Sequence, residues 1–293
     1  MDKNVIKYVL LSTNDNPLYI QFWALIASAW RKMGVEPLLS LVTDKPYEEW
    51  KWMEEYGKVY QFPTKKDIPE KNWSTFCRFF LYYLNLDDIS IVSDIDMIPL
   101  NKEYLLSLPE NFYDTDHLLI KGYDAYIEHT KHSPDNGWAG PSTFPKFPGC
   151  YMIAKGSTWK DIINPNNLEF EELSNSLYDL NVFNNEKTYA EALNHPNFDE
   201  ESLIRYLTWK WCPDRSKFIA RKRFSEWLPK LTDRIDRNEW NIDPIRLQQG
   251  GYIDCHCLRP LEMYKDLITP LVDYLGLDHK LIDIGINKSK NNG

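Results

Sequence analysis

The chain has 293 residues, enough for one large α/β domain or two modest ones, each able to bury a real core. Its 34 Lys and Arg against 43 Asp and Glu leave a net charge of −9, without the basic footprint that a nucleic-acid binder uses to displace counterions from phosphates. Hydrophobic residues at 43% exclude a disordered chain, and five cysteines are too few and too odd a set for a secreted disulfide framework. The surplus is aromatic, with 11 Trp, 18 Tyr and 13 Phe. Such faces stack on sugars and bases, although ordinary packing accounts for most of them.

In chain order, residues 8–12 predict a strand, and residues 18–33 a helix closed by Gly34. That helix carries Gln21, Arg31 and Lys32 and is too short to span a bilayer. No secretory leader is visible at residues 5–13, which run from an apolar stretch into Asn14-Asp15-Asn16. The expectation is a soluble, cytoplasmic protein with no integral membrane segment. Strands follow at 37–42 and 58–62, helices at 48–56 and 74–84, and a short buried strand at 89–93. Alternation of this kind implies a parallel sheet with helices on its faces. Ligands bind such sheets beyond the carboxyl ends of the strands, where Asn14-Asp15, Thr43-Asp44 and Asp94 to Asp96 fall.

After residue 120 the texture changes. Residues 121–148 contain Gly122, Gly137, Gly140 and four prolines, and read as a long functional loop. A strand at 150–154 follows, then helices at 169–180, 199–210 and 261–275, the last kinked at Pro270. From Asn287 onward the chain reads as a flexible tail (287–293) to a single domain spanning 1–286.

The strongest chemical signal is Ile91-Val92-Ser93-Asp94-Ile95-Asp96-Met97-Ile98-Pro99-Leu100. Two carboxylates two residues apart, just past a buried strand, can present oxygens to one hard cation, Mg²⁺ or Mn²⁺, which in turn can bridge a diphosphate. The apolar residues on both sides return the chain to the core and set this pair apart from an arbitrary D-x-D.

Here the sequence resembles the metal-dependent, DxD-containing nucleotide-sugar glycosyltransferases of the GT-A fold. Thr75-Phe76-Cys77-Arg78-Phe79-Phe80 puts Arg78 where many of these enzymes place a donor-binding Arg. Phe147-Pro148-Gly149-Cys150 is similar to their strand beside the donor sugar, with Pro148-Gly149 replacing the usual Asn-Ala or Asn-Ser. Phe198-Asp199-Glu200-Glu201-Ser202-Leu203 resembles their acidic acceptor segment, and Asp254-Cys255-His256-Cys257-Leu258-Arg259-Pro260 resembles the late His that completes the metal site, as in glycosyltransferase family 8. Cys-His-Cys lacks the spacing of a zinc site.

The resemblance implies an α/β fold with a GT-A-type, Rossmann-like mixed sheet flanked by helices. It also implies a transferase that uses Mn²⁺ (or Mg²⁺), a UDP- or GDP-sugar donor and a glycan or glycoconjugate acceptor. By the same likeness, Asp94, Asp96 and His256 are the expected metal ligands. Thr13, Arg78, Asp94, Gly149 and Arg259 are expected at the donor, and Asp199 and Glu200 as catalytic acids facing the acceptor. Tyr123 and Trp138 of the long loop are expected at the acceptor. A non-catalytic carbohydrate-binding protein would explain the aromatics but not the ordered acids and His. A D-x-D phosphatase would continue with Gly-Thr or similar, which Met97-Ile98 does not supply.

Overall fold

A computed structural model describes residues 3–66, 68, 70–84, 86–122, 147–178, 200–221 and 234–291. The first part alternates as expected: β1 (Ile6–Asn14), α1 (Pro17–Ile20), α2 (Trp23–Lys32), β2 (Glu36–Val42), β3 (Lys58–Phe62), α3 (Glu70–Cys77) and β4 (Ile89–Val92). β5 (Met97–Pro99), α4 (Lys102–Leu106) and β6 (Leu118–Lys121) follow. Next come β7 (Met152–Lys155), α5 (Gly156–Ile163), α6 (Phe170–Tyr178), α7 (Glu200–Trp211) and β8 (Phe218–Arg221). The chain continues through β9 (Arg234–Ile235), α8 (Pro244–Gln248), β10 (Asp254–His256), α9 (Lys265–Leu275) and α10 (Lys280–Asn291).

Among the described residues, seven strands form one sheet in the order β3-β2-β1-β4-β7-β6-β8, and β5-β10-β9 form a second, small one. The first four strands are parallel, whereas β7 runs antiparallel to both β4 and β6, so the sheet is mixed. Its inner strands β1, β2, β4, β6 and β7 are mostly buried on both faces, as helix-covered strands must be, while the edge strands β3 and β8 are partly exposed. Period two divides them cleanly. Val9, Leu11, Leu39, Ile91 and Ile153 enter one core, while Leu10, Leu38, Val92, Met152 and Ala154 enter the other. Each large apolar side chain so buried contributes about 1.5–3 kcal/mol.

Several expected elements are corrected in detail. The helix at 18–33 is two helices, because Gln21 intervenes with its side chain committed elsewhere: Nε2 donates to Leu18 O at 2.8 Å and Oε1 accepts Leu261 N–H at 2.9 Å. In place of a helix at 48–56 there are two 3₁₀ turns, Tyr47–Glu49 and Lys51–Glu55. The helix expected from residue 74 begins at Glu70 and tightens to 3₁₀ geometry over Arg78–Leu84. Residues 261–275 break at Tyr264, between a 3₁₀ turn and α9, and Pro270 lies inside α9. Residues 287–291, expected to fray, continue α10 with Ser289 buried. Of the loop expected at 121–148, residues 123–146 lie outside the described set.

Candidate functional site

The parallel strands deliver the site. β1 and β4 end side by side, with Leu10 opposite Val92, so Thr13-Asn14 and Ser93 to Asp96 emerge together. Past β4 the chain turns tightly, Met97 N–H donating to Asp94 O at 3.2 Å, before β5 re-enters the core. In that turn the two carboxylates diverge, and each meets its own set of cations.

Asp94 faces Arg78, which sits where α3 passes into the 3₁₀ turn and is only 1% exposed. Arg78 Nη1 donates to Asp94 Oδ1 at 2.5 Å and to Ser93 O at 2.9 Å. Its Nη2 donates to Gly149 O at 2.9 Å and lies 3.5 Å from Glu200 Oε1. Burial opposes the charge on Arg78, but Asp94 and Glu200 outweigh it and hold the guanidinium above its ordinary pKa. Gly149 closes the group from the other side, its N–H donating to Glu201 Oε1 at 2.7 Å. A Cβ there would stand 3.0 Å from that oxygen and 3.4 Å from Arg78 Nη2, so the close approach favours glycine.

Asp96 faces the opposite wall. Its Oδ2 lies 3.5 Å from His256 Nε2, 3.4 Å from Arg237 Nη1 and 3.7 Å from Arg259 Nε. β10 runs antiparallel to β5 with His256 opposite Met97, and Cys257 N–H donates to Asp96 O at 2.9 Å, which fixes the two segments together. Burial pushes the Asp96 carboxyl up, but His256, Arg259 and Arg237 outweigh it and hold it below the usual carboxylate range. The guanidinium of Arg259 also stacks on Tyr19, 4.5 Å from the ring centroid. Behind His256 stands Asp236, its Oδ2 3.4 Å from Nδ1. Burial lowers the His256 pKa, and the two flanking carboxylates more than reverse that.

Between these walls is a cavity of about 390 Å³ lined by Thr13, Asn14, Tyr19, Lys71 and Glu200 as well as by Arg78, Asp94, Asp96, Arg237 and His256. The expected residues Thr13, Arg78, Asp94, Asp96, Glu200 and His256 therefore come together, with Gly149 and Arg259 touching the same network. Asp199, Tyr123 and Trp138 lie outside the described residues. Thr13 Oγ1 donates to Asn14 O at 2.9 Å. Sequence reasoning missed Tyr19, Asp236 and Arg237; the last two stand in the charged run Asp233-Arg234-Ile235-Asp236-Arg237, which reads locally as a solvated segment.

Asp96 and His256 are the pair that suits a divalent cation. They converge from the β4–β5 turn and from β10 at a cavity wall, one an oxygen and one a nitrogen donor, and the His has a carboxylate behind it, as metal-binding imidazoles do. Asp94 Oδ1 is turned to Arg78 instead. Among the described residues no cluster of three His, Cys, Asp or Glu side chains is arranged to hold a metal. A hard cation held by two protein ligands completes its shell with water and substrate oxygens.

Comparison with known family patterns and with curated proteins returns no match. Among solved structures the chain is similar to the glycosyltransferase GlyE of Streptococcus pneumoniae TIGR4, at 14% identity and a TM-score of 0.47, covering 97% of this chain and 64% of that one. The apo form of GlyE gives a TM-score of 0.44 over the same coverage. Glucosyl-3-phosphoglycerate synthase from Mycobacterium tuberculosis, solved with Mn²⁺, uridine diphosphate and phosphoglyceric acid, is similar at 12% identity and a TM-score of 0.34, covering 94% and 80% of the two chains. The chain thus spans less than two thirds of the length of GlyE.

Proposed function

We propose that the protein is a GT-A-type, metal-dependent glycosyltransferase that moves a sugar from a UDP- or GDP-sugar to an acceptor hydroxyl on a glycan or glycoconjugate, in the cytoplasm. One observation carries the reading: carboxylates Asp94 and Asp96, the imidazole of His256 and the guanidiniums of Arg78, Arg237 and Arg259 converge at the carboxyl ends of β1 and β4. Acids and bases in this balance suit a substrate that brings both a diphosphate and its counter-cation. A purely anionic ligand would have no use for Asp94 and Asp96.

Asp96 and His256 would hold the cation, Mn²⁺ or Mg²⁺, which when bound neutralises charge on the departing nucleoside diphosphate. Arg237, on the cavity wall, and Arg259 both reach Asp96, and their forked N–H groups can bind phosphate oxygens. Arg78 is different. Its hydrogen bonds go to Asp94, Ser93 and Gly149, so it holds the donor side of the site in shape. Thr13, at the end of β1, is assigned to the ribose or base. Glu200, at the start of α7 and lining the cavity, is assigned with Asp199 to the acceptor. Tyr123 and Trp138 are assigned to acceptor contacts.

The test is release of free nucleoside diphosphate from a panel of nucleotide sugars with Mn²⁺. Wild type should turn over at least one donor, and Asp96→Ala and His256→Ala should each lose most of that activity. Full activity in both variants, or no turnover and no binding with any donor, would sink the assignment. Sugar binding without turnover would favour a non-catalytic carbohydrate-binding protein.

A further inference from the structure

The small sheet carries a charge pattern that the reading above does not use. β9 runs parallel to β10 with Arg234 opposite Asp254 and Ile235 opposite Cys255. Side chains alternate along a strand, so Arg234 shares one face with Asp254, while Ile235 and Cys255 turn into the apolar core. Arg234 makes a two-pronged pair, Nε to Asp254 Oδ1 at 2.7 Å and Nη2 to Oδ2 at 2.8 Å, and Asp254 is fully buried. Continuing the same register by one step sets Asp236 beside His256, on the face that Arg234 and Asp254 occupy. The order is cation on β9 then acid just past its end, and acid then imidazole on β10. A slip of one residue would put charges into the core, so the Arg234–Asp254 pair locks the register that delivers Asp236 to His256.

Asp236 is held in turn. Its Oδ1 accepts Asn238 N–H at 2.9 Å, which leaves Oδ2 for His256 Nδ1 at 3.4 Å. Asp96, on the other side of the ring, is engaged by Arg237 and Arg259, and the ring therefore stands between two carboxylates with different partners. From this geometry we infer that Asp236 is a positioning residue for His256: its Oδ2 accepts the Nδ1–H and so presents the Nε2 lone pair towards Asp96 and the cavity. The imidazole is thereby oriented as a donor to a divalent cation before any cation arrives. This deepens the metal reading proposed above and rests on it only for its consequence, since the orientation itself belongs to the chain.

The experiment has two arms. Nitrogen-15 NMR of the histidine rings, on metal-free protein at about pH 9 where an imidazole is neutral, reads the tautomer directly; His256 is assigned with His256→Gln. Wild type should carry the proton on Nδ1, Asp236→Ala should lose that preference, and Asp236→Asn, whose amide oxygen can still accept the N–H, should keep it. Mn²⁺ titration followed by electron paramagnetic resonance should then show affinity lowered by on the order of 10–100-fold in Asp236→Ala and less in Asp236→Asn. An Nε2–H tautomer in wild type, or an Nδ1–H tautomer that survives in Asp236→Ala, overturns the inference, and the wild-type reading stands whether or not the Asp236 variants fold. Wild type with the Nδ1–H tautomer but no Mn²⁺ binding supports the role of Asp236 and overturns the metal reading instead.

Discussion

Arg78 ties together three segments far apart in the chain, the turn at Ser93-Asp94, the peptide at Gly149 and the start of α7 at Glu200. Removing its charge would leave two acids facing a buried gap. Arg78→Met should therefore lose on the order of 3 kcal/mol, the low end for a broken buried pair because Asp94 keeps contact with water. Arg78→Lys keeps the charge but not the planar fork, and should lose a smaller part of this. Urea unfolding reads both, and an Arg78→Met midpoint equal to wild type would refute the account. At this scale much of the site was legible. The D-x-D pair stood out because apolar residues flank it, and Arg78 because a cation amid Phe and Cys on a buried helix needs a reason. Asp236 and Arg237 were not legible. Asp236 takes its meaning from His256 on β10 and Arg237 from Asp96 far earlier in the chain, and nothing local marks either.

Among the elements, α10 departs furthest from what its sequence implies. Its last residues are polar, yet Ile282, Ile286 and Ser289 recur at helical spacing and are buried, a pattern obscured by the Lys and Asn around it. The helix packs so closely on the α1–α2 junction that a Cβ at Gly285 would lie 1.9 Å from Gln21 O. Two effects compete in Gly285→Ala. Alanine favours a helix by about 1 kcal/mol, while forcing backbone apart costs roughly 1–3 kcal/mol and sometimes more. With the carbonyl so far inside van der Waals contact the second wins, and thermal unfolding should show a lowered Tm. A raised Tm would mean the helix does not pack this way. Because Gln21 also holds Leu261 N–H, two residues from Arg259, the same variant should loosen the contact of Arg259 with Asp96. The 3₁₀ turns and the two- and three-residue strands were illegible for a related reason. Segments that short take their form from their neighbours, whereas β1 and β2, longer and apolar on both faces, declare themselves.

Over the whole molecule, strand–helix alternation was enough to read the parallel half of the sheet, while the antiparallel insertion of β7 was not. Pairing order is set by long-range contacts between strands that all look equally apolar. That sheet places the site at its carboxyl edge, and the function proposed for it makes a prediction about global stability. A ligand that binds only the native state raises stability by about 2.7 kcal/mol at a hundred times its Kd. UDP or GDP with Mn²⁺ should therefore raise the Tm by several degrees, neither component alone should match the pair, and chelation of the metal should reverse the shift. Equal stabilisation by the nucleotide with and without Mn²⁺ would mean that the guanidiniums of Arg237 and Arg259 serve the diphosphate unaided. How binding is followed also depends on where the indoles lie. Trp23, Trp30, Trp50 and Trp159 are sealed in the core, and no Trp lines the cavity among the described residues. The emission of these four indoles is accordingly a gauge of whether the protein is folded, and a poor optical reporter of whether nucleotide and cation fill the cavity.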